Sequence, residues 1–291
     1  MTLSWPPPLS ARWTALGLFL FALTLHVFIA LGGTLDFKFL IILDEIAAIL
    51  LAPILFAVLL GISFRDAFVL RSARWGHYVM AVATAIPLQL FGGAMQEIVL
   101  DLMPGGDEWR QLLEDSLGPL LRGNTTGDLL VLMFGAVVLA AICEEVLFRG
   151  LLMQLLARGG RWWFAIIVSA LLFALFHLDF IGLLPRTLLG IYFGVLVWRS
   201  GSIFPAMVAH GANNLLAFGL APFADASAPP PSLIQTLLLA AAAGSVFMVM
   251  MTAYLRFTKP QLDATSTSPA PGPTDTSPPP DSTPRTDPHE S

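Results

Sequence analysis

Residues 129–156 read LLVLMFGAVVLAAICEEVLFRGLLMQLL, a run of 28 residues whose only charged side chains are Glu144, Glu145 and Arg149. As a helix rising 1.5 Å per residue it spans about 42 Å, more than the roughly 30 Å of hydrocarbon in a bilayer. A stretch this uniformly apolar is buried on every side or faces lipid. The charged group falls near its middle, around Ile142, and not at a rim. Glu145 and Arg149 are i and i+4 with the acid on the N-terminal side, the order that favours a helical ion pair. Glu144 points about 100° away on a 3.6-residue turn and has no partner on its own helix. The two adjacent carboxylates therefore have different expected duties. Glu145 is tied to Arg149 and orients the helix; Glu144 is free to hydrogen-bond a water.

The rest of the chain has the same character. Of 291 residues, 56% are hydrophobic and 12% charged, where a soluble domain has about 25% charged and under about half apolar residues. The mean hydropathy is +0.76. Such a chain cannot wrap itself in a polar surface, which excludes an ordinary soluble enzyme. The net charge of −5 leaves no basic face for nucleic acid. A single cysteine excludes an intramolecular disulfide framework and a four-cysteine zinc site. The expected fold is an all-α, multi-span membrane helical bundle with eight transmembrane helices near 14–32, 39–62, 78–100, 128–157, 162–182, 183–199, 202–221 and 233–256. The first is expected to be a retained span, because no A-x-A site closes it.

The spans divide the chain into an N-terminal set with an external loop (1–127), a core (128–221), a last span (222–258) and a tail (259–291). The loop, 101–127, is expected to hold a short amphipathic helix with Trp109, Leu112, Leu113 and Leu117 on one side. The tail is Pro-, Ser- and Thr-rich with almost nothing to bury, and is expected to be disordered. Of 15 Lys and Arg residues, one side receives eleven: Arg12, Arg65, Arg71, Arg74, Arg149, Arg158, Arg161, Arg199, Arg256, Lys259 and Arg285. The other receives Lys38, Arg110 and Arg122, with Arg186 near it inside a span. Basic residues are retained in the cytoplasm, so both termini are expected there. No internal repeat is visible, which weighs against an inverted-repeat transporter.

An ionisable residue in a span costs around 2.5–3.5 kcal/mol on insertion scales and is usually kept for a function or a partner. Besides the central group these are Asp44-Glu45, Glu97, His177 and His210. Phe173 and His177 are i and i+4, as are His210 and Asn214, so each pair faces one neighbour. A carboxylate pair on one span with a histidine on each of two others can activate a water and hold a developing oxyanion. Asp44-Glu45 is read as a lining of the same cavity or a helix-end pair, Glu97 as a carboxylate reaching the headgroups, and His26 as a lone structural histidine. Cys143 is read as apolar filling, since no histidine is near it in sequence.

Glu144-Glu145-x-x-x-Arg149, Phe173-x-x-x-His177 and His210-x-x-x-Asn214 stand on three separate spans in the order and approximate spacing of the CPBP family (CAAX proteases and bacteriocin-processing enzymes, also called Abi). Residues 128–220 resemble that family, which includes the type II CAAX prenyl endopeptidases. The resemblance implies an intramembrane endopeptidase with a cavity among the helices opening to the cytoplasm. It makes Glu144 the general base and His177 its assistant, with His210 and Asn214 at the oxyanion. Glu145, Arg149 and Phe173 would support them. The family is commonly classed as metalloprotease, though a metal-free glutamate mechanism has also been argued for it. No H-E-x-x-H helix is present, yet Glu144, His177 and His210 could form a three-ligand Zn2+ site with water in the fourth position. The implied partner is a membrane-associated peptide or protein substrate, such as a prenylated CAAX peptide or a leader peptide, in the bacterial cytoplasmic (inner) membrane. Two other classes compete: a proton-coupled transporter using the same acids and histidines as relays, and a non-catalytic immunity or scaffold protein of the same fold. The transporter requires paired broken helices in two related halves, and the scaffold requires decayed motifs; neither pattern is seen.

The charge bias makes the topology testable. Reporters fused near Arg158 and after Lys259 should both read cytoplasmic, and one inserted within 105–122 should read external. A tail that reads external would require an odd number of spans.

Overall fold

The computed structural model describes residues 5–31, 36–122, 125–220 and 231–262, and these form ten helices with no strand among them. In chain order they are α1 (Pro8–Leu31), α2 (Phe37–Leu60), α3 (Phe64–Ala67), α4 (Trp75–Leu102) and α5 (Gly106–Arg122). There follow α6 (Thr126–Leu156), α7 (Trp162–Phe176), α8 (Leu183–Ser200), α9 (Phe204–Leu220) and α10 (Leu233–Phe257). The bundle is all-α, as composition requires. Five helices, α1, α2, α4, α6 and α10, are long and apolar enough to cross a membrane. The remaining three of the eight expected spans, α7, α8 and α9, have 15, 18 and 17 residues.

Helix α6 is the axis of the bundle. Leu147, Phe148, Leu151, Leu152, Met153 and Leu155 are wholly buried, and α1, α2, α7, α8 and α9 all pack against it. The outer helices instead turn Phe28, Leu31, Val249 and Phe257 outward, as lipid-facing positions allow. Helix α10 lies along α4, where Ala240 and Ala243 are buried and the Phe91 ring fills the space over Gly244. Small residues bring helices close where no hydrophobic effect drives them together.

Three stretches widen into π turns: Glu45–Leu50 in α2, and Phe134–Leu139 and Val146–Leu152 in α6. A π turn releases carbonyls from the regular ladder, and in an apolar bundle each needs another donor. The Asn214 amide donates to the Ala136 carbonyl at 2.8 Å, and the Gln154 amide to that of Arg149 at 3.1 Å. Nothing in the apolar run marks these turns, and regular α geometry was the expectation.

The span expected at 162–182 is helical only to Phe176. Leu178 has φ of +51°, a left-handed conformation that a branched side chain adopts at a cost. Asp179 then accepts from the Ile181 N–H at 2.9 Å and from Arg186 at 2.5 Å, closing a loop in place of a last helical turn. The amphipathic helix expected in the external loop is α5, though the side chain of Leu117 lies outside the described residues.

The boundary of the tail also moves. Leu262 is buried, and the N–H groups of Gln261 and Leu262 both donate to the Trp198 carbonyl. Residues 259–262, expected to belong to the disordered tail, are therefore docked on the bundle; residues 263–291 lie outside the described residues. A chain ending at Lys259 loses these contacts and a buried leucine. It should be about 1–3 kcal/mol less stable in detergent than one ending at Leu262, and equal melting curves for the two would refute the docking of this segment.

Candidate active site

The central charged group of α6 is fully enclosed. Glu145 and Arg149 each have no solvent exposure, and Arg149 Nη1 donates to Glu145 Oε1 at 3.0 Å. The expected i, i+4 pair forms even though the turn between them is widened. Arg149 Nη2 donates to the Gly190 carbonyl at 3.2 Å. Gly190 permits this approach: a Cβ there would stand 2.8 Å from Ala170 of α7. The guanidinium also lies 4.4 Å from the Phe173 ring centre and 5.2 Å from that of Phe193. One cation thus joins α6, α7 and α8.

Glu145 has a second partner, His210 of α9, whose Nδ1 is 3.0 Å from the same Oε1. A carboxylate oxygen accepts, so Nδ1 carries the proton and Nε2 of a neutral ring is bare. That Nε2 faces Glu144 Oε2 at 3.8 Å. His177 is arranged in the same way: its Nδ1 donates to the Phe173 carbonyl at 2.9 Å, and its Nε2 is 4.0 Å from Glu144 Oε2. Phe173 packs edge-on against both imidazoles, with ring centres 4.9 and 5.9 Å apart, and Phe193 stacks on His210 at 5.0 Å. Glu144 itself is buried, and its Oε2 has no hydrogen-bond partner among the described residues.

These groups border a cavity of about 480 Å³. Its walls include Glu45, Gln89, Gln96, Glu97, Glu144, Phe173, His177, Asp179, Arg186, His210, Asn213 and Asn214. Every residue of the three motifs is therefore at the cavity or directly behind it. Asn214 reaches it with one of its two amide hydrogens committed to Ala136. Cys143 is buried and takes no part in the lining.

Other polar residues stand differently from expectation. Asp44 and Glu45 part company: Glu45 lines the cavity, while Asp44 binds His26 of α1 at 2.8 Å. His26 is therefore not lone, and its ring also packs 4.6 Å from Phe176, next to His177. Glu97, expected to reach the headgroups, has protein partners. It borders the cavity and accepts from Arg110 Nε of α5 at 3.1 Å, while the same guanidinium binds Asp101 and Asp107. Asn213 was missed. It is buried, lines the cavity and has an Oδ1 without a hydrogen-bond partner. The i+4 spacing from His210 drew attention to Asn214, and the adjacent amide carried no such signal.

Glu144, His177 and His210 are donors that suit zinc in kind. Ligands at 2.0–2.1 Å in tetrahedral array stand roughly 3.3 Å apart, and the separations of 3.8 and 4.0 Å are wider. Among the described residues no three Asp, Glu, His or Cys side chains gather closely enough to hold a metal ion. The residues do not fit the metal in this arrangement.

Residues 126–216 match the family model for Type II CAAX prenyl endopeptidase Rce1-like. The matched stretch is just under a third of the chain and contains all three motifs. No curated protein and no solved structure matches the chain.

Removing one member of a buried ion pair leaves the other charged and unsatisfied, at a cost of about 3–5 kcal/mol. Arg149→Ala should therefore lower stability by that order and release His210 from its register, so thermal stability and activity fall together. An Arg149→Ala protein that melts like the wild type would show that the pair does not hold the site.

Proposed function

We propose that this chain is an intramembrane endopeptidase that hydrolyses a peptide bond of a membrane-associated peptide or protein by a glutamate-activated water. One observation carries the reading. The buried Glu144 Oε2 lacks a hydrogen-bond partner among the described residues and is faced by two imidazole nitrogens whose other nitrogens are engaged. At 3.8 and 4.0 Å these contacts are too long for direct hydrogen bonds. They suit acceptors that share a water. The likeness of residues 126–216 to CAAX prenyl endopeptidases points the same way.

In this reading the water sits against Glu144 with His177 Nε2 beside it. Glu144 takes one proton as the water oxygen adds to the scissile carbonyl. The tetrahedral oxyanion is met by the free amide hydrogen of Asn214, with Asn213 and His210 nearby. His210 can donate from Nε2 only as the doubly protonated ring, and as the neutral ring it accepts there. Glu144 then returns its proton to the departing nitrogen as the C–N bond breaks. Phe173 and Phe193 hold the imidazoles in place, and Arg149 holds Glu145.

Glu144→Gln keeps shape but cannot take a proton, so cleavage should fall by about 10²–10⁴-fold with the fold intact. Comparative proteomics of cells carrying the wild-type or Glu144→Gln protein should reveal a membrane-associated peptide that stays uncleaved in the variant. Purified, chelator-treated protein should retain activity under the metal-free mechanism; loss of activity with recovery on zinc would replace it with a metal-bound water. Full activity in Glu144→Gln would sink the reading in both forms.

A further inference from the structure

The two ends of the bundle differ in charge, and the cavity belongs to only one of them. At one end lie the α2–α4 connection with Arg65, Arg71 and Arg74, the α6–α7 connection with Arg158 and Arg161, and the end of α8 with Arg199. Backbone hydrogen bonds tie these segments together, Ile203 N–H to the Val69 carbonyl and Gln261 N–H to that of Trp198. Helix α1 begins at this end and α10 finishes there. Arg149 no longer counts towards it, being buried inside α6. Even so, nine Lys and Arg of the described residues sit at this end and four at the other.

At the opposite end three of the four cations are paired with acids. Lys38 pairs with Asp36 and Asp128, Arg110 with Glu97, Asp101 and Asp107, and Arg186 with Asp179. This is the end the cavity reaches. From Glu144 and His177 it runs past Gln96, Glu97 and Leu100 of α4 to Leu113 of α5 and Arg186 at the start of α8. No lining residue comes from the basic connections. A cavity opening to the cytoplasm, as the resemblance implies, and termini in the cytoplasm, as the basic residues imply, cannot both hold in this fold.

Basic segments resist translocation, and their bias sets orientation. We infer that the cavity opens on the face away from the cytoplasm, beneath α5. Its substrate is then a peptide segment presented at that face, either an exported peptide or the external part of a membrane protein. This rests on the endopeptidase reading for what happens in the cavity, but the sidedness can be measured without any activity.

Single cysteines placed in a full-length Cys143→Ser protein, at Leu113 or Gln96 on the cavity side and at Arg161 on the basic side, would be probed with a charged, membrane-impermeant maleimide. In spheroplasts the Leu113→Cys and Gln96→Cys proteins should label, and Arg161→Cys should label only after permeabilisation. Cys143 is buried, so its replacement leaves both faces as they are. Labelling of Arg161→Cys from outside, with the cavity positions protected until lysis, would overturn the inference and restore a cytoplasmic substrate. Labelling at both ends in spheroplasts, the mark of dual insertion, would overturn it as well. Where one cavity variant fails to accumulate, the other reads the same face. A failure of Glu144→Gln to lower cleavage would instead remove the endopeptidase reading and leave the labelling result standing.

Discussion

Two opposite charges, Glu145 and Arg149, sit at the centre of α6 with no access to water. Desolvating such a pair costs several kcal/mol per ion, so it is tolerated only where geometry and further hydrogen bonds compensate. Those hydrogen bonds come from elsewhere in the chain: the Gly190 carbonyl from α8 and the His210 imidazole from α9, with the Phe173 face from α7 against the guanidinium. Meeting the needs of one buried pair therefore brings three other helices to the same level of α6. Once His210 is fixed by its Nδ1, its Nε2 is left facing Glu144. The unpaired carboxylate and its imidazoles are a consequence of how the paired one is satisfied.

The same requirement, that no polar group stay unmet in an apolar interior, explains the irregular parts of the bundle. Widened turns in α6 free the carbonyls of its ladder, and side-chain amides from Asn214 and Gln154 supply donors. Asn214 thereby serves structure with one hydrogen and keeps the other for the cavity. At the end of α7 the strained Leu178 and the Asp179–Arg186 pair stop the helix at Phe176, one residue before His177. His177 thus sits at the rim of the cavity, where its ring is held by the carbonyl one turn back.

Charge acts on a longer scale as well. The end of the bundle that holds nine of the described Lys and Arg residues is packed shut by the connections that bear them, while the end where Lys38, Arg110 and Arg186 are paired with acids holds the cavity and α5. Arg110, with two acidic partners on α4 and one on α5 itself, keeps α5 against that cavity. Orientation in the membrane and access to the site are consequently linked by the fold, although the residues that determine each are far apart in sequence.

The residues to which the proposal gives chemistry were legible because a membrane span makes them conspicuous. Glu144, Glu145, Arg149, His177, His210 and Asn214 are expensive in hydrocarbon, and their i, i+4 spacings predicted which would share a face. The all-helical class and the approximate helix positions followed from apolar runs alone. Other features were not local properties. Sequence spacing could not separate Glu45, in the cavity, from Asp44, held by His26 eighteen residues earlier. It could not choose Asn213 alongside Asn214, place the π turns, or bring Leu262 back under Trp198. Above all it could not say which end of the bundle the cavity opens towards. Periodicity fixes direction around one helix axis; the meeting of side chains from seven helices and a loop depends on how those axes cross, and that is decided only when buried charges and carbonyls from distant segments satisfy one another.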